Sequence, residues 1–218
     1  SALITQREGV NQYGDPVDIL ESGYVRFYEL LGFIPKTVSN FTKNVEMIFN
    51  KKRDLLIVVG GGSLPPSMYD RPHEDELQPN RDRMEEQVIH YCVAHGIPII
   101  ATCRGMQYIN VMFGGKLWYH PKLPVTRTRG MDHQVWLVKE QRNIWVNNYH
   151  SDCIYEEGLA PCFEPLAIDR ENHVVEAYGS DEMKILALQW HPERRFETAN
   201  AYEETRKIVL DFIQKHVK

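Results

Sequence analysis

Two short apolar runs constrain the fold more than anything else in the chain. Leu55–Val59 (LLIVV) leads into Gly60-Gly61-Gly62, and Ile97–Thr102 (IPIIAT) leads into Cys103. Neither run alternates apolar with polar residues. A strand of that kind is apolar on both faces and must be covered on both, as in a parallel sheet packed between helices. Between the runs, Asn80–His95 sets Met84, Val88 and Cys92 four apart, the stripe of an amphipathic helix, and Gly96 stops it. Beyond Cys103 the helical spacing resumes at Met106, Ile109 and Phe113. This alternation predicts an α/β fold: a mostly parallel central sheet flanked by helices in three layers, of the flavodoxin-like type.

The flanking segments extend the pattern. Leu3–Thr5 and Ile34–Val38 read as strands, Asp18–Leu31 as a helix ended by Gly32, and Asn44–Asn50 as a short helix. In the second half, His133–Lys139, Ile144–Asn148, Pro165–Asp169, Val174–Tyr178 and Ile185–Gln189 read as strands joined by short turns. They predict a smaller antiparallel β region, followed by a final amphipathic helix over Ala201–Val217. The polar stretch Arg71–Arg83 reads as a solvated loop, with an active-site lid as the other reading. No repeat or linker divides the sequence, and its 218 residues suit a single domain over 1–218.

Composition removes several function classes. The net charge is −5 and no basic stripe is present, so nucleic acid is not an expected partner. The apolar runs fall far short of the roughly 18 residues a membrane span needs, so no membrane association is expected. Four cysteines without a CxxC pair, in a chain that does not start like a signal peptide, predict reduced thiols and a cytoplasmic location.

The chemistry concentrates at ATCRGMQ. A buried strand ends at Thr102, Cys103 sits on the turn, and a helix opens at Arg104. Such a turn exposes its tip residue and requires small neighbours, here Ala101 and Gly105. A tip at a helix N-terminus stabilises a thiolate, and the Arg104 N–H would face a developing oxyanion. A cysteine that merely packs is the competing reading. A nucleophilic thiol needs an imidazole base. His191 opens His-Pro-Glu directly after the strand-like ILALQW, and Glu193 is close enough in sequence to orient its ring. By itself that tripeptide also reads as a surface loop. The glycines of VVGGGSLPP either let backbone N–H groups approach a ligand, with Gly61 or Gly62 as a second oxyanion donor, or make a tight turn.

Four blocks, VVGGGSLPPSMYD, ATCRGMQYINVMFGG, VNNYHSD and LALQWHPE, give the chain a resemblance to the class I glutamine amidotransferase-like superfamily, and within it to the stand-alone γ-glutamyl hydrolases. The resemblance implies a nucleophile at Cys103 and a triad completed by His191 and Glu193. It also implies an oxyanion hole from the backbone of Arg104 and of Gly61 or Gly62. Gln107 and Tyr149-His150-Ser151 resemble the elements that hold the glutamyl α-amino and α-carboxylate groups. Ala101, where many relatives have glycine, and Ser63, where the hydrolase branch often has aspartate, depart from the pattern. The implied partner is a small γ-glutamyl substrate, and neither metal nor cofactor is implied. Within the hydrolase branch the chain is similar to enzymes of γ-glutamyl-CDP-amidate, whose products are glutamate and a cytidine diphosphoramidate used in capsule modification. A nucleotide-linked leaving group would favour nearby cations, and Arg26, Arg104, Arg194 and Arg195 are candidates, each also readable as an ordinary surface arginine. Glu21, Tyr24 and His133 are further candidates to line the cleft, with helix-surface roles equally open to Glu21 and Tyr24 and a packing or surface role to His133. The alternative function is a glutaminase subunit that passes ammonia to a separate synthase.

Overall fold

The computed structural model describes residues 1–49, 54–70, 77–120 and 129–217. The chain opens with β1 (Ala2–Ile4), β2 (Arg7–Val10), β3 (Pro16–Ile19), α1 (Ser22–Leu30) and β4 (Pro35–Thr37). Next come β5 (Leu55–Val58), α2 (Pro79–His95), β6 (Ile99–Thr102) and α3 (Arg104–Met112). The second half holds β7 (Asp132–Leu137), β8 (Arg142–Asn147), β9 (Glu164–Asp169), β10 (Val174–Ser180), β11 (Ile185–Leu188) and α4 (Ala201–His216).

Nine strands form one sheet in the order β4-β1-β5-β6-β11-β10-β9-β7-β8. Pairing is parallel from β4 to β11 and antiparallel from β11 to β8. The predicted antiparallel region therefore continues the central sheet. The unbroken apolar run of β5 explains the layering. Leu56 and Val58 enter one core, with Met84, Val88 and Cys92 of α2 and Met106 and Ile109 of α3. Leu55 and Ile57 point the other way, into a core with Tyr24, Phe27 and Tyr28 of α1 and Val209 of α4. Successive strand residues face opposite sides, so a strand between two helical layers needs apolar residues at every position.

Three expectations change. The helix expected from Asp18 begins only at Ser22, because Asp18 and Ile19 pair with Glu8 and Arg7 in a separate β2–β3 hairpin. The Asp18 carboxylate is also committed, accepting from Ser39 Oγ at 2.6 Å and Asn40 Nδ2 at 2.8 Å. The short helix expected over Asn44–Asn50 is one 3₁₀ turn, Val45–Met47, and Asn50 lies outside the described residues. The polar stretch read as a loop over Arg71–Arg83 supplies the first turns of α2 from Pro79 onward. Proline suits a first helical turn because its missing N–H has no intrahelical acceptor there. Of the stretch 71–83 on which the lid reading falls, residues 71–76 lie outside the described residues. Among the described residues no helix is long and apolar enough to cross a membrane.

Candidate active site

β5, β6 and β11 are parallel neighbours, and their carboxyl ends carry the glycine loop, Cys103 and His191 in turn. Ligand sites of open α/β sheets form at such strand ends. Cys103 sits between β6 and α3 with φ 52° and ψ −108°, backbone values that L residues rarely adopt. Its N–H donates to Leu188 O at 2.7 Å, and its carbonyl accepts from Gln107 N at 3.1 Å. The turn admits no side chain two residues on: a Cβ at Gly105 would come within 2.5 Å of the Val58 carbonyl oxygen. Cys92 and Cys153 are buried, whereas Cys103 is only partly so.

The imidazole of His191 stands beside Cys103, close enough for the thiol to act on its titration. Its Nδ1 donates to Glu193 Oε1 at 2.6 Å, which leaves Nε2 for the sulfur. The turn is fixed by one amide side chain: Asn147 Oδ1 accepts from His191 N at 2.9 Å while Asn147 Nδ2 donates to His191 O at 2.8 Å. Burial is the largest single influence on His191 and disfavours its cation. The Glu193 carboxylate and its hydrogen bond, with Cys103 alongside, outweigh it and hold the imidazolium up to about 9. Gly23 lets α1 approach this carboxylate, since a Cβ there would stand 3.0 Å from Glu193 O and 3.3 Å from its Cγ.

The glycine loop packs on the pair. A Cβ on Gly60 would lie 2.8 Å from His191 Cε1 and 3.2 Å from Cys103 Cβ. The Gly60 N–H donates to the buried Tyr24 hydroxyl at 2.9 Å, and burial raises that phenol's pKa. Gly60 is thus committed, while Gly61 and Gly62, with φ of 80° and 77°, line the cleft beside Cys103.

That cleft, of about 550 Å³, also gathers Arg104, Gln107, Tyr149, His150 and Ser151. The Tyr149 ring meets the His191 ring edge to face at 5.5 Å. Gln107 Nε2 donates to Asp152 O at 3.1 Å and Gln189 Oε1 at 3.2 Å, bracing one wall. His150 Nδ1 donates to Asp152 O at 3.1 Å, and its Nε2 stands 3.5 Å from buried Glu176.

The cation candidates separate. Arg26 is a correction: it lies on the exposed face of α1, donates to Ser22 Oγ at 2.8 Å and does not line the cleft. Helical spacing placed it on α1 but could not say which face the sheet covers. Arg195 is 81% exposed beside Glu197. The Arg104 guanidinium is buried between Asp82 and Glu85, so its charge is already met. Arg194 does line the cleft, 4.5 Å over the Tyr149 ring, and Arg7 and Arg129 join it. Neither Arg7 nor Arg129 carries a motif, and only the fold reveals them. Glu21 lies 3.6 Å from Arg7 and 3.8 Å from Arg194.

His133 is also corrected: it lines a different cavity, with Asp169. There His133, Asp169 and Glu176 bring one ligand atom each within 4.8 Å of one another. Asp169 is committed to its own turn, accepting from the N–H groups of Glu171 and Asn172 and from Asn172 Nδ2.

A sheet of this order, with a thiol, an imidazole and a carboxylate at its strand ends, defines a class I glutamine amidotransferase-like fold. A solved structure from Thermoplasma acidophilum, provisionally named a GMP synthase subunit, matches it with TM-score 0.65 at 19% identity, over 98% of this chain and 92% of that one. The chain belongs to the Peptidase C26 family, which it matches over residues 2–193. Its relatives include the γ-glutamyl-γ-aminobutyrate hydrolase PuuD of Escherichia coli K12, 26% identical over 175 residues (68% of this chain, 67% of that protein). A second, YvdE of Lactococcus lactis, provisionally named glutamine amidotransferase-like, is 29% identical over 164 residues (66% and 68%).

Proposed function

We propose that the chain is a cysteine-dependent hydrolase that cleaves a γ-glutamyl amide-type bond and releases L-glutamate. The observation that carries this reading is the Cys103–His191–Glu193 line at the mouth of a cleft. His191 takes the thiol proton as the Cys103 sulfur attacks the γ-carbonyl carbon, and the carbonyl π pair moves onto oxygen. That oxygen is met by the N–H of Arg104 and of Gly61 or Gly62. The intermediate collapses, the C–N bond breaks, and His191 gives its proton to the departing nitrogen. Water then attacks the glutamyl thioester, His191 takes its proton and passes it to the departing Cys103 sulfur, and glutamate leaves. Glu193 holds the ring in the tautomer that both steps need. Gln107 and Tyr149-His150-Ser151 form the wall that would hold the glutamyl α-groups.

Arg7, Arg129 and Arg194 favour an anionic leaving group. γ-Glutamyl-CDP-amidate fits this, with cytidine diphosphoramidate for capsule polysaccharide modification as the second product. The name of the YvdE relative favours a second reading, a glutaminase subunit that feeds ammonia to a separate synthase.

The test is glutamate release by the isolated protein from L-glutamine, γ-glutamyl-GABA, γ-glutamyl peptides and γ-glutamyl-CDP-amidate. Cys103→Ala should abolish release and leave the far-UV circular dichroism unchanged. A clear preference for glutamine, dependent on an added synthase, would replace the hydrolase reading with the second one. An unchanged rate in Cys103→Ala would remove both.

A further inference from the structure

Arg81, in the first turns of α2, is fully buried, yet the reaction proposed above gives it no role. A buried guanidinium is costly unless its N–H donors are satisfied. Here Nε donates to Glu85 Oε1 at 2.8 Å and Nη1 to Gln78 Oε1 at 3.0 Å. The remaining donors grip the glycine loop: Nη1 reaches Gly61 O at 2.7 Å, and Nη2 reaches Val59 O at 2.5 Å and Gly60 O at 3.3 Å. Three consecutive carbonyls are thus drawn toward one side chain.

In a trans peptide the C=O of one residue and the N–H of the next point in opposite directions. Holding the carbonyls of Val59, Gly60 and Gly61 therefore turns the N–H groups of Gly60, Gly61 and Gly62 away from Arg81. The Gly60 N–H does point away, to Tyr24. Those of Gly61 and Gly62 belong to peptides gripped in the same manner, on residues that line the cleft. The same network reaches the other donor. Glu85 accepts from Arg81 through Oε1 and from Arg104 Nη1 through Oε2 at 2.8 Å, and also from Thr5 Oγ1 at 2.7 Å. Arg104 Nε donates to Ser63 O at 3.2 Å, at the far end of the glycine loop.

We propose that Arg81, braced by Glu85, is the positioning residue of the oxyanion site, setting the glycine-loop amides and the Arg104 amide at a fixed separation. The inference rests on the reading of Cys103 as nucleophile. Lysine cannot replace the fork, because an ammonium cannot span three carbonyls and a carboxylate in one plane.

The experiment compares wild type with R81M and R81K, using L-γ-glutamyl-p-nitroanilide as substrate. Two inhibitors separate the oxyanion site from ground-state binding. Glutamate γ-semialdehyde traps the thiol reversibly: the Cys103 sulfur adds to the aldehyde carbon, the π pair moves to oxygen, the thiol proton is taken up, and nothing leaves. L-Glutamate binds without forming a tetrahedral centre. Losing one oxyanion donor typically costs 10²–10³ in rate. R81M should therefore lose about 10²-fold in kcat and in aldehyde affinity, with KM and glutamate affinity held within about threefold. R81K should lose at least about tenfold in the same two quantities. If R81M is recovered only as aggregate, R81K and E85Q are read in the same way. Unchanged kcat in a folded Arg81 variant overturns the proposal, as does equal weakening of aldehyde and glutamate. A wild-type protein that turns over no γ-glutamyl probe, or a fully active C103A, instead overturns the nucleophile reading beneath it.

Discussion

At the scale of single residues, the site tolerates little change because its parts touch. Gly60→Ala places a methyl 2.8 Å from His191 Cε1, so the imidazole must leave the sulfur or the loop must shift. Turnover should fall on the order of 10²-fold while the thermal midpoint moves little, a separation that steady-state kinetics and calorimetry on one preparation will check. Glu193→Gln removes the charge that opposes burial at His191. With burial left as the dominant influence, the imidazole should titrate below its ordinary 6.5 instead of near 9. Ring-proton NMR across that range measures the shift directly, and a value still near 9 would mean that Glu193 does not hold the proton.

At the scale of elements, Gly105 joins α3 to β5. A Cβ there meets a backbone oxygen, which cannot rotate aside as a side chain can. Gly105→Ala should therefore destabilise the fold by about 1–3 kcal/mol, seen as a lower denaturant midpoint with an unchanged slope. Elements of this kind were legible because burial writes itself into composition. β5 is apolar at every position and β6 at all but Thr102, α2 repeats its stripe every fourth residue, and small residues bracket Cys103. The β2–β3 hairpin was not legible: Arg7–Val10 is half exposed, and its pairing with Pro16–Ile19 is a tertiary choice that overrides the local helical pattern. Asn147, which fixes the His191 turn from β8, was hidden for another reason. Its partner is a backbone 44 residues away, and nothing around Asn147 in sequence marks that pairing. Arg81 was hidden similarly, since a charged residue at the start of a helix reads as solvated until its carbonyl partners are seen.

For the whole molecule, the buried imidazolium links catalysis to stability. The folded-state pKa of His191 is raised from 6.5 to about 9, so folded protein binds this proton more tightly than unfolded chain does. The stabilisation is fully present below about 6.5 and disappears as pH rises through about 9. Denaturant unfolding across that interval should show wild type losing stability with pH relative to His191→Gln, and parallel curves would exclude the link.

The sheet order has a consequence in time as well as in space. β11, which brings the imidazole, is last of the strands in sequence yet lies between β6 and β10. A chain emerging from the ribosome therefore carries its thiol long before the proton acceptor exists, and the two meet only when that final strand slots into the gap. On the proposed reading of Cys103, the nucleophile is unarmed until that strand is in place, and closing the sheet is the step that switches it on.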